Sequence, residues 1–309
     1  MTDAGGVEAN RLIVNALSVD VEDYFQVSAF DRVVSRETWS AFDSRVAANT
    51  HRLLDLFDET GVKATFFTLG WVAAHHTELV REVAARGHEI ASHGYHHQLV
   101  YMLTPEQFRE DVRASKRILE DLSGQQVLGF RAPSFSIVNS SLWALDVLIE
   151  EGYVYDTSIF PIRHDRYGIP HAPRHIHRIE RPSGSILEMP PSTVRIGKVN
   201  LPVAGGGYFR LLPYAVTEWG IRRVNTVDRS PAMFYMHPWE VDPDQPRIAA
   251  GAATRWRHYS GLRHTAGRLR RLVSDFRFAP VAAVIHASQR PATSDAASWS
   301  PSRPLAIHQ

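Results

Sequence analysis

The stretch EIASHGYHHQLVYML, residues 89–103, opens with the end of a strand and closes just before a helix signal at Thr104. Between the two stand His93, His96 and His97. Polar, titratable side chains just past a buried strand mark the carboxyl-end face on which parallel α/β folds build their sites. The flanking sequence repeats the theme. LIVNALSVD (12–20) and VKATFFTLG (62–70) are short apolar runs that read as buried strands, and VLGFRAPS (127–134) and YVYD (153–156) follow as two more. Between them fall helical patterns over 45–60, 72–86, 104–123 and 140–151, closed by Gly61, Gly87, Gly124 and Gly152. Thr104-Pro105-Glu106-Gln107 supplies an N-cap, a first-turn proline and a capping-box glutamine ahead of a Phe108, Val112, Ser115, Leu119, Leu122 stripe. Strand–helix alternation of this kind implies a parallel sheet with crossover helices.

The regularity then lapses. Residues 161–184, rich in Pro, His and Arg, read as loop; SILEMP (185–190) and AMFYMH (232–237) read as strands with a helix near 214–226 between them. Residues 262–276 form a basic amphipathic helix. From about residue 288 the chain is rich in Ser, Pro and Ala and is expected to be disordered. The expected organisation is a flexible N-terminus (1–10), one barrel-like domain (11–287) and a tail (288–309).

Composition narrows the chemistry. Net charge is +1 with neutral histidines, so no global field recruits nucleic acid. There is no cysteine, so any metal must be held by His, Asp or Glu. No run approaches the length of a membrane span, and MTDAGGVEANR lacks a basic region followed by an apolar one. A cytoplasmic location is the resulting expectation.

Five strand ends carry polar clusters: SVDVEDYF (18–25), SHGYHH (92–97), FRAPS (130–134), YDTS (155–158) and YMHPWE (235–240). Charges at the ends of buried strands are costly unless paired or bound to metal, and a barrel gathers those ends on one face. His93 and His97, four apart, can share a cation if the loop makes a helical turn, with a carboxylate from 20–23 as third ligand.

The order and spacing of these clusters resemble the NodB-homology polysaccharide deacetylases, carbohydrate esterase family 4, over roughly residues 12–240. SVDVEDYFQV, FRAPSFSI, YDTSIFP, GGGYFRLLPY and HPWEVDPDQPR further resemble the branch associated with exosortase and exopolysaccharide loci, and RHYSGLRHTAGRLRRLVSDFRF carries that likeness into a helical extension over about 241–280. The resemblance implies a distorted (β/α) barrel of about seven parallel strands and metal-dependent N-deacetylation of an N-acetylated polysaccharide. It implies Asp20 as base, and Glu22 or Asp23 with His93 and His97 as metal ligands. Strand alternation places Asp20 and Glu22 on one face and so favours Glu22. Arg131 would orient the base, the Ser134 N–H would face the oxyanion, and His237 would be the acid, paired with Asp156. The metal implied is Zn²⁺, with Co²⁺, Ni²⁺ or Mn²⁺ as alternatives. His96 is expected to point elsewhere.

Other readings compete. Pro133, Tyr208, Phe209 and Trp239 are expected near substrate, although for Trp239 a core position is the favoured alternative. HAPRHIHR (171–178) reads as a solvated loop, and Arg263, Arg268, Arg270 and Arg271 as an exposed helix face or a contact for an anionic glycan or membrane. Peripheral association with a membrane polysaccharide-synthesis complex would suit a chain acting on a lipid-linked intermediate. Rival functions are a cyclic amide or ureide hydrolase on the same fold, a facial-triad iron oxygenase, and a glycan-binding protein without catalysis.

Overall fold

A computed structural model describes residues 13–289 and the backbone of Ser298–Trp299. The strands are β1 (Val14–Val21), β2 (Thr65–Thr68), β3 (Glu89–Ser92), β4 (Gly129–Phe130), β5 (Tyr155–Asp156), β6 (His177–Arg181), β7 (Gly184–Glu188), β8 (Thr193–Ile196), β9 (Val199–Pro202), β10 (Met233–Met236), β11 (Arg277–Ala279) and β12 (Ser298–Trp299). The helices are α1 (Val46–Thr60), α2 (Gly70–His75), α3 (Thr77–Ala85), α4 (Pro105–Ser123), α5 (Trp143–Glu150), α6 (Gly206–Leu211), α7 (Tyr214–Thr226), α8 (Ala252–Tyr259), α9 (Leu262–Asp275) and α10 (Val281–Gln289). The main sheet runs β10-β1-β2-β3-β4-β5-β7-β6-β12, and β11 pairs with the first half of β1. From β10 to β7 every neighbouring pair is parallel; β6 returns antiparallel to β7. No ladder joins β7 back to β10 among the described residues. The segment after β7 bridges that gap instead: Ser192 N–H donates to Met233 O (3.3 Å), and Met233 N–H donates to Ser192 Oγ (2.7 Å).

Alternation along the strands sorts side chains into two apolar layers. Leu17, Val19, Phe66 and Ile90 face the surrounding helices, whereas Ala16, Phe67, Ala91, Tyr155 and Met233 pack together on the other face. The inner layer leaves little room. A Cβ on Gly129 would fall 2.0 Å from the Tyr155 ring, so β4 must carry glycine there. Helix α10 plugs the amino end of the strands with Val281, Val284 and Ile285, tied by Val281 N–H to Thr65 Oγ1 (2.7 Å) and Ala282 N–H to Glu89 Oε2 (3.1 Å). The carboxyl end stays open for chemistry.

The best local signals correspond to real elements. Helix α4 has its full capping box, with Gln107 N–H donating to Thr104 Oγ1 and Thr104 N–H to Gln107 Oε1, a device typically worth about 1 kcal/mol. Its Ser115 hydroxyl meets Ser92 at 2.9 Å, seating the end of β3. Other expectations need correction. The single helix over 72–86 is two, broken where His76 leaves helical φ/ψ. The strand over 127–134 contracts to Gly129–Phe130, because Pro133 starts a 3-10 turn. The loop over 161–184 contains β6, whose His177 and Ile179 are buried, and the GGGYFR stretch runs into α6. The β8–β9 hairpin, α8, β11 and α10 had no clear local signal. The N-terminus (1–10) and most of the 288–309 tail lie outside the described residues; of the tail, Ser288 and Gln289 close α10, and Ser298–Trp299 pair with β6.

Candidate active site

Glu22, His93 and His97 come together just past β1 and β3, their ligand atoms all within 4.8 Å of one another and all three residues buried. The histidine loop is not a helical turn, contrary to the simple i, i+4 picture. His97 adopts φ 52°, Gly94 φ 74°, and the two imidazoles lie 5.4 Å apart. Asp111 from α4 holds the loop by accepting from Tyr95 N–H (2.7 Å) and His96 N–H (3.1 Å). The His96 ring is exposed and turns away.

Each of the three residues is prepared for a cation. His93 Nδ1 lies 2.7 Å from the Arg131 carbonyl, which can only accept, so the proton sits on Nδ1 and Nε2 keeps its lone pair. Burial pushes His93 down to about 4, keeping it neutral. Glu22 is pushed up by burial, but the charge and hydrogen bond of His97, with His237 and His93 behind them, outweigh this and hold it at about 2. His97 Nε2 lies 2.7 Å from Glu22 Oε2 on the side a shared cation would take, and its Nδ1 is buried without a hydrogen-bond partner. Two imidazoles and one carboxylate fit a borderline divalent ion with positions left for water. Asp23, the other carboxylate considered, is spent elsewhere. Its oxygens accept from Tyr24 N–H (2.9 Å), Ser44 Oγ–H (2.7 Å), Arg45 N–H (2.9 Å) and Val46 N–H (3.1 Å), which caps the start of α1.

Beside this cluster sits Asp20, whose Oδ1 receives Arg131 Nη1 at 2.5 Å. Arg131 is wholly buried. It also donates to Ser18 Oγ (2.9 Å) and Thr157 Oγ1 (2.7 Å), and its guanidinium lies 4.1 Å over the Phe67 ring. Ser134 follows in a left-handed conformation (φ 52°, ψ 29°), its hydroxyl anchored on Ser28 at 2.8 Å. Pro133 is buried under the loop, a packing residue.

His237 closes the site. Its Nε2 is 3.9 Å from Asp20 and 3.7 Å from Glu22. The expected partner, Asp156, is not the one it has. Nδ1 donates to Glu240 Oε1 at 2.6 Å, and Glu240 in turn accepts from Arg210 Nε at 2.7 Å. A 3-10 turn over Pro238–Val241 brings Glu240 under the ring, a local geometry that strand–loop reasoning did not supply. Burial pushes His237 down, but the Glu240 hydrogen bond and the charges of Glu22, Glu240 and Asp20 outweigh it and lift the group to about 9. Asp156 instead faces its register partner Glu188, with Ser158 Oγ–H on its Oδ1 (2.5 Å). Burial raises Asp156 to about 6, although hydrogen bonds from Glu188 and Ser158 pull it down; burial and then the neighbouring Asp156 raise Glu188 well above its usual range, so Glu188 is the member that keeps its proton. Ser158 passes this order on by accepting from Ala132 N–H (2.7 Å) beside the Arg131 loop.

Trp239 is nearly buried, stacked between His237 (5.1 Å) and His258 (4.2 Å), and donates Nε1–H to Glu22 (3.2 Å). It is part of the site wall. Phe209 is fully buried against Phe234 and cannot line a substrate, whereas Tyr208 borders the adjoining cleft. Arg268 is not a free surface charge either: its Nη1 donates to the carbonyls of Phe209, Arg210 and Leu212 at the end of α6. Among the residues sequence reasoning passed over, Glu240 stands three after His237 in a cluster already marked as polar, a usable signal. Asp111 and Arg210 had none, since their partners are distant in the chain.

Residues 32–149 match the family model described as polysaccharide deacetylase, and residues 157–286 match one described as domain of unknown function DUF3473. His93, His97 and Arg131 fall in the first, Arg210, His237 and Glu240 in the second. A peptidoglycan deacetylase of Helicobacter pylori is 30% identical over 108 residues, 35% of this chain and 36% of that protein. The matched stretch spans less than half the length of each of the first curated relatives. A candidate polysaccharide deacetylase from Mycobacterium smegmatis superposes over 95% of this chain and 96% of its own with TM-score 0.62 at 19% identity. Puue allantoinase superposes over 92% of this chain and 93% of its own with TM-score 0.59 at 15% identity. At those identities the two structures speak for the fold alone.

Proposed function

Because the chain carries a polysaccharide deacetylase domain of the NodB-homology type, we propose that it hydrolyses the acetamide of an N-acetylated oligo- or polysaccharide, releasing acetate and leaving a free amine, and that it needs one divalent metal, with Zn²⁺ the first choice. The observation that carries this reading is the meeting, on one buried face, of the Glu22–His93–His97 group with Asp20–Arg131 and His237–Glu240. A cation bound by the first three would polarise the acetyl carbonyl and bring the pKa of a water down, to about 7 in good cases.

The remaining work falls to the chain itself. Asp20, held by Arg131, takes a proton from the attacking water. The Ser134 N–H, presented by its left-handed backbone, faces the developing oxyanion. His237 gives a proton from Nε2 to the departing amine, while Glu240 keeps the other ring proton on Nδ1 and offsets the imidazolium charge. Acetate release from N-acetylglucosamine oligomers, with chelator and with Zn²⁺ restored, tests the whole scheme; allantoin in the same panel tests ureide hydrolysis. Turnover that survives complete chelation, or that occurs only on allantoin, sinks the proposal.

The setting belongs to the same proposal. Exopolysaccharide biosynthesis, with action in the cytoplasm or at the inner membrane, is supported by the phrases shared with that branch. No helix among the described residues is long and apolar enough to cross a membrane. Cell fractionation that finds the protein in the periplasm would end the cytoplasmic part.

A further inference from the structure

We propose that the cleft adjoining His237 is a subsite for an anionic sugar: the unit next to the N-acetylated one carries a carboxylate or phosphate held by Arg166 and Arg257. This rests on the deacetylase reading and specifies its substrate. The cleft, about 540 Å³, lies between the segment around His164–Tyr167, the start of α6 and helix α8. That is within the roughly 300–1,000 Å³ of ordinary ligand clefts. Its floor is shared with the site. Tyr235 lies 5.9 Å from the His237 ring, and Trp239 both stacks on His237 and hydrogen-bonds Glu22. A chain of sugars with one acetamide at His237 therefore runs directly into it.

The walls suit a pyranose. Tyr167 and Tyr208 are joined through their hydroxyls, and Trp256 on the α8 side is 62% exposed. A tryptophan so open to water is a platform without an occupant. The charges decide which pyranose. Arg210 also lines the cleft, but its guanidinium is consumed by Glu240 and by the carbonyls of Arg257, His258 and Ser260. Arg166 and Arg257 have no such sink. Among the described residues neither forms an ion pair with a carboxylate; Arg166 acts on Asp31 only through its charge, and its Nη2 contact to Ser28 O is long, at 3.5 Å. Arg257 acts electrostatically on Tyr208 and His164, so its charge is felt across the cleft. The sole carboxylate in the lining, Asp165, lies 3.0 Å from His164 Nδ1, which accepts from Arg166 N–H (3.2 Å) and so does not hold it; the Asp165 side chain is exposed to solvent and pairs with neither arginine.

Elsewhere among the described residues of this near-neutral chain, Arg86, Arg109 and Arg113 each hold a carboxylate while exposed arginines such as Arg263 hold none, so what sets Arg166 and Arg257 apart is that both line one cleft. A subsite for a neutral sugar gains nothing from two guanidiniums that no carboxylate holds. A carboxylate or phosphate that both reach is bound by charge-assisted hydrogen bonds.

The test compares three ligands on the zinc-loaded protein: chitotetraose, a heparosan tetrasaccharide alternating N-acetylglucosamine with glucuronate, and UDP-N-acetylglucosamine. Affinity is read by tryptophan fluorescence and turnover by acetate release. At least one anionic ligand should bind tenfold or more tighter than chitotetraose, with the advantage shrinking in high salt. Preference for the tetrasaccharide assigns a uronate carboxylate, and preference for the nucleotide sugar a phosphate. In the Arg166→Gln, Arg257→Gln double variant the anionic-to-neutral affinity ratio should fall to near one. Equal binding of all three ligands by the wild type, or a ratio unmoved in the double variant, overturns the subsite. If the anionic preference is found but no sugar releases acetate, the deacetylase reading falls and the subsite stands; acetate release without the preference has the opposite meaning.

Discussion

Changing Glu240 to glutamine tests the least expected feature of the site. The carboxylate is completely buried and accepts from Arg210 Nε (2.7 Å), His237 Nδ1 (2.6 Å) and His237 N–H (3.0 Å). Glutamine keeps the shape and one acceptor but removes the charge. Breaking a buried ion pair typically costs about 3–5 kcal/mol. Here Arg210 Nη1 keeps three carbonyl partners at 2.8–3.0 Å, so the loss in stability should sit at or just below the lower end, about 2–3 kcal/mol. The catalytic effect is separate. His237 remains stacked on Trp239 at 5.1 Å but loses the group that fixes its Nδ1 proton and offsets its positive charge. A positioned general acid is worth roughly 10²–10⁴ in rate, and losing its support should cost about 10² in kcat with KM little changed. Acetate release gives the rate and urea unfolding the stability. Glu240→Asp, which retains the charge on a shorter arm, should recover part of the rate. If Glu240→Gln stays within about threefold of wild-type kcat while Asp156→Asn loses far more, Glu240 is only a structural partner of Arg210 and the assignment is wrong.

Metal should stabilise the fold as well as activate it. At one hundred times its dissociation constant, zinc should add about 2.7 kcal/mol. Scanning calorimetry should lose that increment with chelator or in His97→Ala; an unchanged melting temperature on zinc addition would rule the site out. Asp23→Ala removes the cap on α1 and should cost about 1–2 kcal/mol while leaving the zinc increment intact; loss of the increment would return Asp23 to the ligand set. His88, far from the site, is buried with Nδ1 accepting from Ala64 N–H at 3.2 Å, and burial lowers it from 6.5 to about 4. The unfolded chain then binds more protons between those values, so stability is intact above pH 6.5 and falls as pH drops toward 4, by up to about 3 kcal/mol. Urea midpoints at pH 7.5 and 4.5 should differ less in His88→Gln than in wild type; an equal difference would show that other groups carry the acid sensitivity.

Several features follow from residues close together in the chain. The apolar run of β1, the Thr104–Gln107 cap of α4 and the glycine stops at Gly61 and Gly124 are local events, governed by backbone preference and by which face of one element is apolar. The polar clusters at the strand ends were legible for the same reason, since each is a departure from its own apolar strand. Which members of those clusters touch was a different matter. Asp20 and Glu22 share a face by alternation, yet only the fold spends Asp23 on α1, turns His97 through a left-handed bend, and pairs His237 with Glu240 in place of Asp156. Strands β4 and β5 keep only two paired residues each, and Phe209 goes to the core where an open wall was expected. The sequence by itself determined the elements and the chemical groups at their ends, because hydrophobic period and turn chemistry act over a few residues. Tertiary structure alone decided the partners, because contacts such as Trp239 to Glu22 join positions more than two hundred residues apart, and the hydrogen bond at stake depends on a few tenths of an ångström that no local pattern encodes.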